Sequence, residues 1–256
     1  MINRKQDVTA MLTSLISFIV LLSICYVAIS SNDDIDTLNS AWVMLFLGSG
    51  ILFFIQVFYI AEMAGNVIAG ELSSGRMKVW ISLPVTREQI FARMIVRLLK
   101  RTAVLSFSLY VMLAFVGNVI FHTSPQNLLV AAFGVIQLML VLLAYIVASI
   151  LLNKRSSSLA ISIVIPMLMH IVQVLSHVSM MRSGEANSNL LNTILTVLLP
   201  INTAYNNIIY GIAPHVDKVD IYITSSSWQT NTMLAVWLLT FALIIYTKIK
   251  RYETVS

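Results

Sequence analysis

Four histidines, one cysteine and eleven acidic residues are the groups of this 256-residue chain suited to acid–base, nucleophilic or metal chemistry. His122, His170, His177 and His215 occur singly, with no H-E-x-x-H run and no double-Glu motif beside them. The spacing that builds a metalloprotease helix is therefore missing. His170 and His177 stand seven residues apart, about 10 Å along a helix, too far to share one metal ion. Cys25 has no second cysteine to pair with and sits in an apolar run, the setting of an inert buried thiol. No G-x-x-x-x-G-K-S/T phosphate loop occurs, and the nine glycines never cluster into a phosphate cradle. The sequence predicts no catalytic residue and no metal site.

Two other constellations remain. The first is a polar stripe of Ser158, Ser162, His170, Gln173 and His177, with Pro166 filling the gap. Spacings of four and three place them on one helix face. Inside an apolar helix such a face turns toward the bundle interior or a water-filled route. Ser162, His170, Gln173 and His177 thus either line a substrate pathway or hydrogen-bond between helices of one protomer. The second is Gly70–Arg101, the only long charged segment, which holds seven of the sixteen Lys and Arg residues: Arg76, Lys78, Arg87, Arg93, Arg97, Lys100 and Arg101. Pro84 stops one piece of helix, and Thr86 with Gln89 forms a capping box for the next. From there Ile90, Phe91, Met94, Ile95, Leu98 and Leu99 recur at helical spacing, with Arg93, Arg97 and Arg101 on another stripe. The pattern predicts a short helix, a break, and a basic amphipathic helix at the membrane surface that feeds the next span. Glu62, near the inner end of the preceding span, is expected to form an interfacial salt bridge. Ala61, Gly65 and Ala69 form a small-residue series for close helix approach.

These groups must be positioned by apolar helices. The chain is 58% hydrophobic and 11% charged, with mean hydropathy +0.87. A soluble domain carries about 25% charged residues, so an all-α integral membrane protein is predicted, with residues 1–256 forming one transmembrane domain. The net charge of +5 reflects a membrane protein's inner-side basic bias, and no nucleic-acid motif is present. Six spans are expected, each near the ~20 residues that cross a bilayer: about Val8–Ser30, Ala41–Ala64 (continuing as helix toward Ser73), Thr102–Phe121, Leu128–Leu152, Leu159–Met181 and Trp228–Thr247. The first is expected to act as an uncleaved signal anchor. An outer turn at His122–Asn127, containing Pro125, separates the third and fourth spans. Placing both termini in the cytoplasm puts fourteen of the sixteen Lys and Arg inside and leaves Arg182 and Lys218 outside. Leu190–Leu199 is apolar but short, and Pro200, Asn202, Asn206 and Asn207 follow. Asn187–Ile212 therefore reads as outer re-entrant half-helices between spans five and six.

Gly70-Glu71-Leu72 with Gly75, then Leu83-Pro84-Val85-Thr86-Arg87 and Ile90, resembles the region after the second span of type-2 ABC transporter permeases. Six spans, inner termini and a broken outer segment before the last span match as well. Such permeases begin with an amphipathic interfacial helix; here seven residues precede Val8, so that helix is expected either to be abbreviated and include Val8–Leu12 or to be missing. The resemblance implies a permease subunit at the plasma membrane that binds no cofactor directly, with ATP and Mg on a separate cytoplasmic ABC ATPase. It implies a second permease subunit, the same or related, as partner, and a central path lined by spans two and five. It makes the segment between spans two and three a cytoplasmic coupling helix, with Glu71, Gly75, Arg76, Lys78, Pro84 and Arg87 as the coupling residues. Anchoring to membrane lipids is the stronger reading for Arg97–Arg101. Permeases of this size resemble exporters of, or immunity proteins against, amphipathic peptides such as toxins and antibiotics; drugs, lipids or polysaccharide are the alternative cargo. The thirteen Met residues suit a greasy, variable cargo. Intramembrane enzymes and secondary transporters are the rival classes. The former lacks its catalytic motifs, and the latter its repeated halves or buried charge pair.

Overall fold

Thr86 marks the point where the charged segment becomes helix. Its Oγ1 accepts a hydrogen bond from the Gln89 amide, and its own amide donates to Gln89 Oε1, each at 3.3 Å. This reciprocal pair satisfies two donors that a helix start leaves open, and it is the capping box expected from Thr-x-x-Gln. The computed structural model describes residues 53–70, 86–121, 124–152, 160–172 and 227–250, with Val8, Leu12, Leu15, Ile16, Ile19, Ser23, Ala204 and Ile208. Every regular element among them is helical. We label these α1 (Phe53–Ile68), α2 (Arg87–Phe121), α3 (Pro125–Leu152), α4 (Ala160–Val172) and α5 (Ser227–Lys250).

Helix α2 runs unbroken for 35 residues, about 52 Å at the helical rise. The basic amphipathic stretch and the third expected span are thus one rod. The basic stretch feeds the next expected span directly. Ile90, Phe91, Met94 and Leu98 are buried and pack into the core, with Ile95 and Leu99 half-buried beside them. A face committed to packing in this way is not free to lie on lipid.

Three residues separate the end of α2 from the start of α3, so the two run antiparallel. Pro125, expected in a turn, is instead the first residue of α3. Its missing N–H falls where the helix has no use for one. Ser124 caps the helix: its Oγ accepts from the Asn127 amide at 3.4 Å, and its carbonyl accepts from Leu128. Helix α5 continues through Lys250, so Lys248 and Lys250, beyond the expected end of the sixth span at Thr247, form its last helical turn. Cations there complement the negative end of the helix dipole, and buried Ile249 carries the packing face that far.

Helix α3 is the centre of the assembly, with 67% of its apolar window buried; the corresponding window of α5 is 11% buried. Two cross-links fix their relative direction. Gln137 Nε2 donates to Asn231 Oδ1 at 2.9 Å, and Tyr145 meets Phe241 edge-on with ring centroids 5.8 Å apart. Residue numbers rise together along both helices, so α3 and α5 are parallel. The start of α2 and the ends of α3 and α5 therefore share one end of the bundle, where all the described Lys and Arg residues collect.

Of the six expected spans, α3 and Asn231–Lys250 of α5 are helices long and apolar enough to cross a membrane, by length and composition. Helices α1 and α4 are apolar and shorter. Helix α1 does continue past Ala64, through a π-helical turn at Gly65–Ala69 to Gly70, whose amide donates to the Gly65 carbonyl. Most of the first expected span and of Asn187–Ile212 lies outside the described residues. Within them, Val8, Leu12, Leu15, Ile16 and Ile19 are helical and exposed, and Ala204 and Ile208 are helical and buried.

Candidate functional site: a polar interior between helices

Four of the five helices each bury one or two polar side chains within the apolar core while also exposing large apolar ones. Gln56 is buried on α1 while Phe58 is exposed. Thr102 and Ser106 are buried on α2 while Val104, Phe107, Val111 and Phe115 are exposed. On α3, Gln137 and Ser149 are inside, with Leu129, Phe133 and Ile136 outside. On α4, Ser162 and His170 are buried, and Val164, Leu168 and Ile171 are exposed.

The inward groups of α1, α2 and α4 lie close together. His170, 2% exposed, stacks on Phe53 with centroids 4.7 Å apart and meets Phe54 edge-on at 5.4 Å. One turn along α1, Gln56 Nε2 donates to Ser106 Oγ of α2 at 3.2 Å. Gln56 Oε1 is buried without a hydrogen-bond partner among the described residues. Helical periodicity accounts for α4: Ser162, Pro166 and His170, four apart, all face inward. Helix α3 is tied to α4 nearby, where the Tyr145 hydroxyl donates to the Ile161 carbonyl at 3.1 Å. Buried Phe241 then stacks with Trp237 at 5.7 Å, so Tyr145 links α3, α4 and α5.

The described groups in this interior are amides, hydroxyls and an imidazole, framed by aromatic rings, with no carboxylate. They can exchange hydrogen bonds and stack on flat or apolar groups. Among the described residues no three of His, Cys, Asp or Glu come together. Of the expected pathway residues, Ser162 and His170 share the buried face of α4, while Gln173 and His177 lie outside the described residues. Of the coupling residues, Arg87 opens α2; Glu71, Gly75, Arg76, Lys78 and Pro84 lie outside them. Glu62 is exposed on α1, and Ala61 and Gly65 are buried, as close helix approach requires.

Sequence reasoning did not single out Phe53, Phe54, Gln56, Ser106, Gln137 or Asn231. Isolated polar residues in apolar runs were the available signal for three of them, Gln56, Ser106 and Gln137. The partners are 50 residues apart for Gln56 and 94 for Gln137, so periodicity could not pair them. Compared with family models, with curated proteins and with solved structures, the chain finds no match.

Proposed function

We propose that this chain is an integral membrane protein, multi-pass with both termini in the cytoplasm, and the permease subunit of an ATP-driven ABC exporter. The exposed apolar side chains support the membrane reading: Phe107, Leu239 and Leu243 are each about two-thirds exposed or more, and hydrocarbon covers such side chains without cost. The collection of described cations at one end of the bundle supports the orientation, since positive ends are retained inside.

The observation that carries the transport reading is α2. It starts on a capped turn at Thr86, carries Arg93, Arg97 and Lys100 on its first turns and continues unbroken past buried Thr102 and Ser106, so in this reading displacement of its first turns reaches the bundle interior. In this reading Glu71, Gly75, Arg76, Lys78, Pro84 and Arg87 form the contact with a cytoplasmic ATPase, which binds ATP and Mg. Ser162, His170, Gln173 and His177 contribute the route taken by cargo. Amphipathic peptides, toxins or antimicrobials, fit the aromatic and amide interior around His170, and export serves self-immunity where the cell makes the peptide. Drugs, lipids or polysaccharide remain the alternative cargo.

Native mass spectrometry of the detergent-purified complex tests the assignment. The expected mass is that of two permease chains with two ATPase chains. A single chain that transports without ATP overturns it.

A further inference from the structure

The exposed face of α2 changes character halfway along. Arg93, Arg97 and Lys100 are exposed on its first turns, and Val104, Phe107 and Phe115 are exposed beyond them. Steps of four, three, four, three and eight residues at 100° per residue keep all six within about 40° of one line. One continuous stripe is therefore cationic and then apolar. No described acid lies within ion-pair distance of the three cations.

Resting on the membrane reading above, we infer that this stripe binds one anionic phospholipid lengthwise. The phosphodiester sits among Arg93, Arg97 and Lys100, and an acyl chain lies along Val104 to Phe115. The dimensions fit. Arg93 to Lys100 spans about 10 Å, the size of a lipid headgroup with its glycerol, and Val104 to Phe115 spans about 16 Å. The second length is close to one leaflet of a hydrocarbon core about 30 Å thick. Charge fits too, because guanidinium groups engage phosphate oxygens in pairs and three cations exceed what a zwitterionic headgroup requires. A soluble acidic protein would match the cationic turns and leave Phe107, 67% exposed, uncovered. The same rod that we assign to force transmission is thereby held at the inner headgroup level by lipid.

The test reconstitutes the full chain in nanodiscs holding phosphatidylglycerol and phosphatidylcholine of identical acyl chains in equal amounts. Lipid retained on the ejected protein is identified by native mass spectrometry. Each cation near an anionic surface contributes about a fivefold preference, so Arg93→Gln/Arg97→Gln/Lys100→Gln should lower phosphatidylglycerol retention on the order of a hundredfold. Arg93→Lys/Arg97→Lys should keep most of it, and Lys248→Gln/Lys250→Gln, on another helix, should keep it all. Unchanged phosphatidylglycerol selectivity in the triple variant overturns the inference. So does a triple variant that keeps its lipid and loses only its ATPase partner, which would assign the stripe to protein docking. Failure of the parent chain to enter nanodiscs at all would instead overturn the membrane reading.

Discussion

Removing the Thr86 hydroxyl should fray the start of α2 and leave the rest of the bundle intact. Two side-chain bonds meet at this cap, both exposed and both 3.3 Å long. Thr→Ala at an N-cap costs about 0.5–2 kcal/mol, and exposure with long bonds places this one near 1 kcal/mol. That is about a fivefold rise in first-turn opening. The Ile90 amide keeps its 3.2 Å bond to the Thr86 carbonyl, so the helix shortens from its end and does not dissolve. Gln89→Ala should cost less, about 0.5 kcal/mol, because the Thr86 amide it releases is exposed and turns to water. The double variant should fall short of the sum of the two, because each bond depends on the other's geometry. Hydrogen exchange of the amides from Glu88 to Ile90 measures all three variants, with Thr86→Ser expected near the parent. Faster exchange spread along α2 or into α3 would refute the reasoning, as would no change at all.

Leu98→Ala, at a fully buried position, should cost about 3 kcal/mol in a reversible unfolding titration in mixed micelles. Phe107→Ala, on the exposed face of the same helix, should cost under about 1 kcal/mol. A double-mutant cycle of Gln137→Ala and Asn231→Ala, read by the same titration, should show a coupling of about 0.6 kcal/mol, the usual worth of one interhelical bond in a membrane. Replacing His170 by Phe should preserve the stack on Phe53, whereas His170→Ala should loosen α4 from α1. If the route passes here, both change cargo preference in a transport assay without weakening ATPase binding.

Local chemistry was legible in the sequence, and long-range pairing was not. Thr86 and Gln89 predicted their own cap because both partners lie within one turn. Ile90, Phe91, Met94 and Leu98 announced a packing face because 3.6-residue periodicity repeats within a single helix. The inward face of α4 followed from Ser162, Pro166 and His170 for the same reason. The Ser124 cap was also readable, as a serine just ahead of a helix-starting proline. Pro125 drew the turn reading because proline ends helices as readily as it starts them. Lys248 and Lys250 fell beyond the expected span Trp228–Thr247 because their charge ends the apolar run, while buried Ile249 between them keeps the helix packed. What periodicity cannot say is which helix a face meets. The pairings Phe53–His170, Gln56–Ser106 and Gln137–Asn231 each join helices distant in sequence, and they compose the polar interior.

Cargo-stimulated ATP hydrolysis tests the central claim most directly. Proteoliposomes would hold this chain, the proposed cytoplasmic ATPase and an amphipathic peptide, with the parent compared against Glu71→Lys. A charge-assisted contact at a docked interface contributes about 1.5–3 kcal/mol, so reversing its charge should weaken coupling about ten- to a hundredfold. The account predicts that the parent stimulates hydrolysis when peptide is added, and that Glu71→Lys inserts normally but loses stimulation and transport together. Full stimulation and full transport by Glu71→Lys would contradict it.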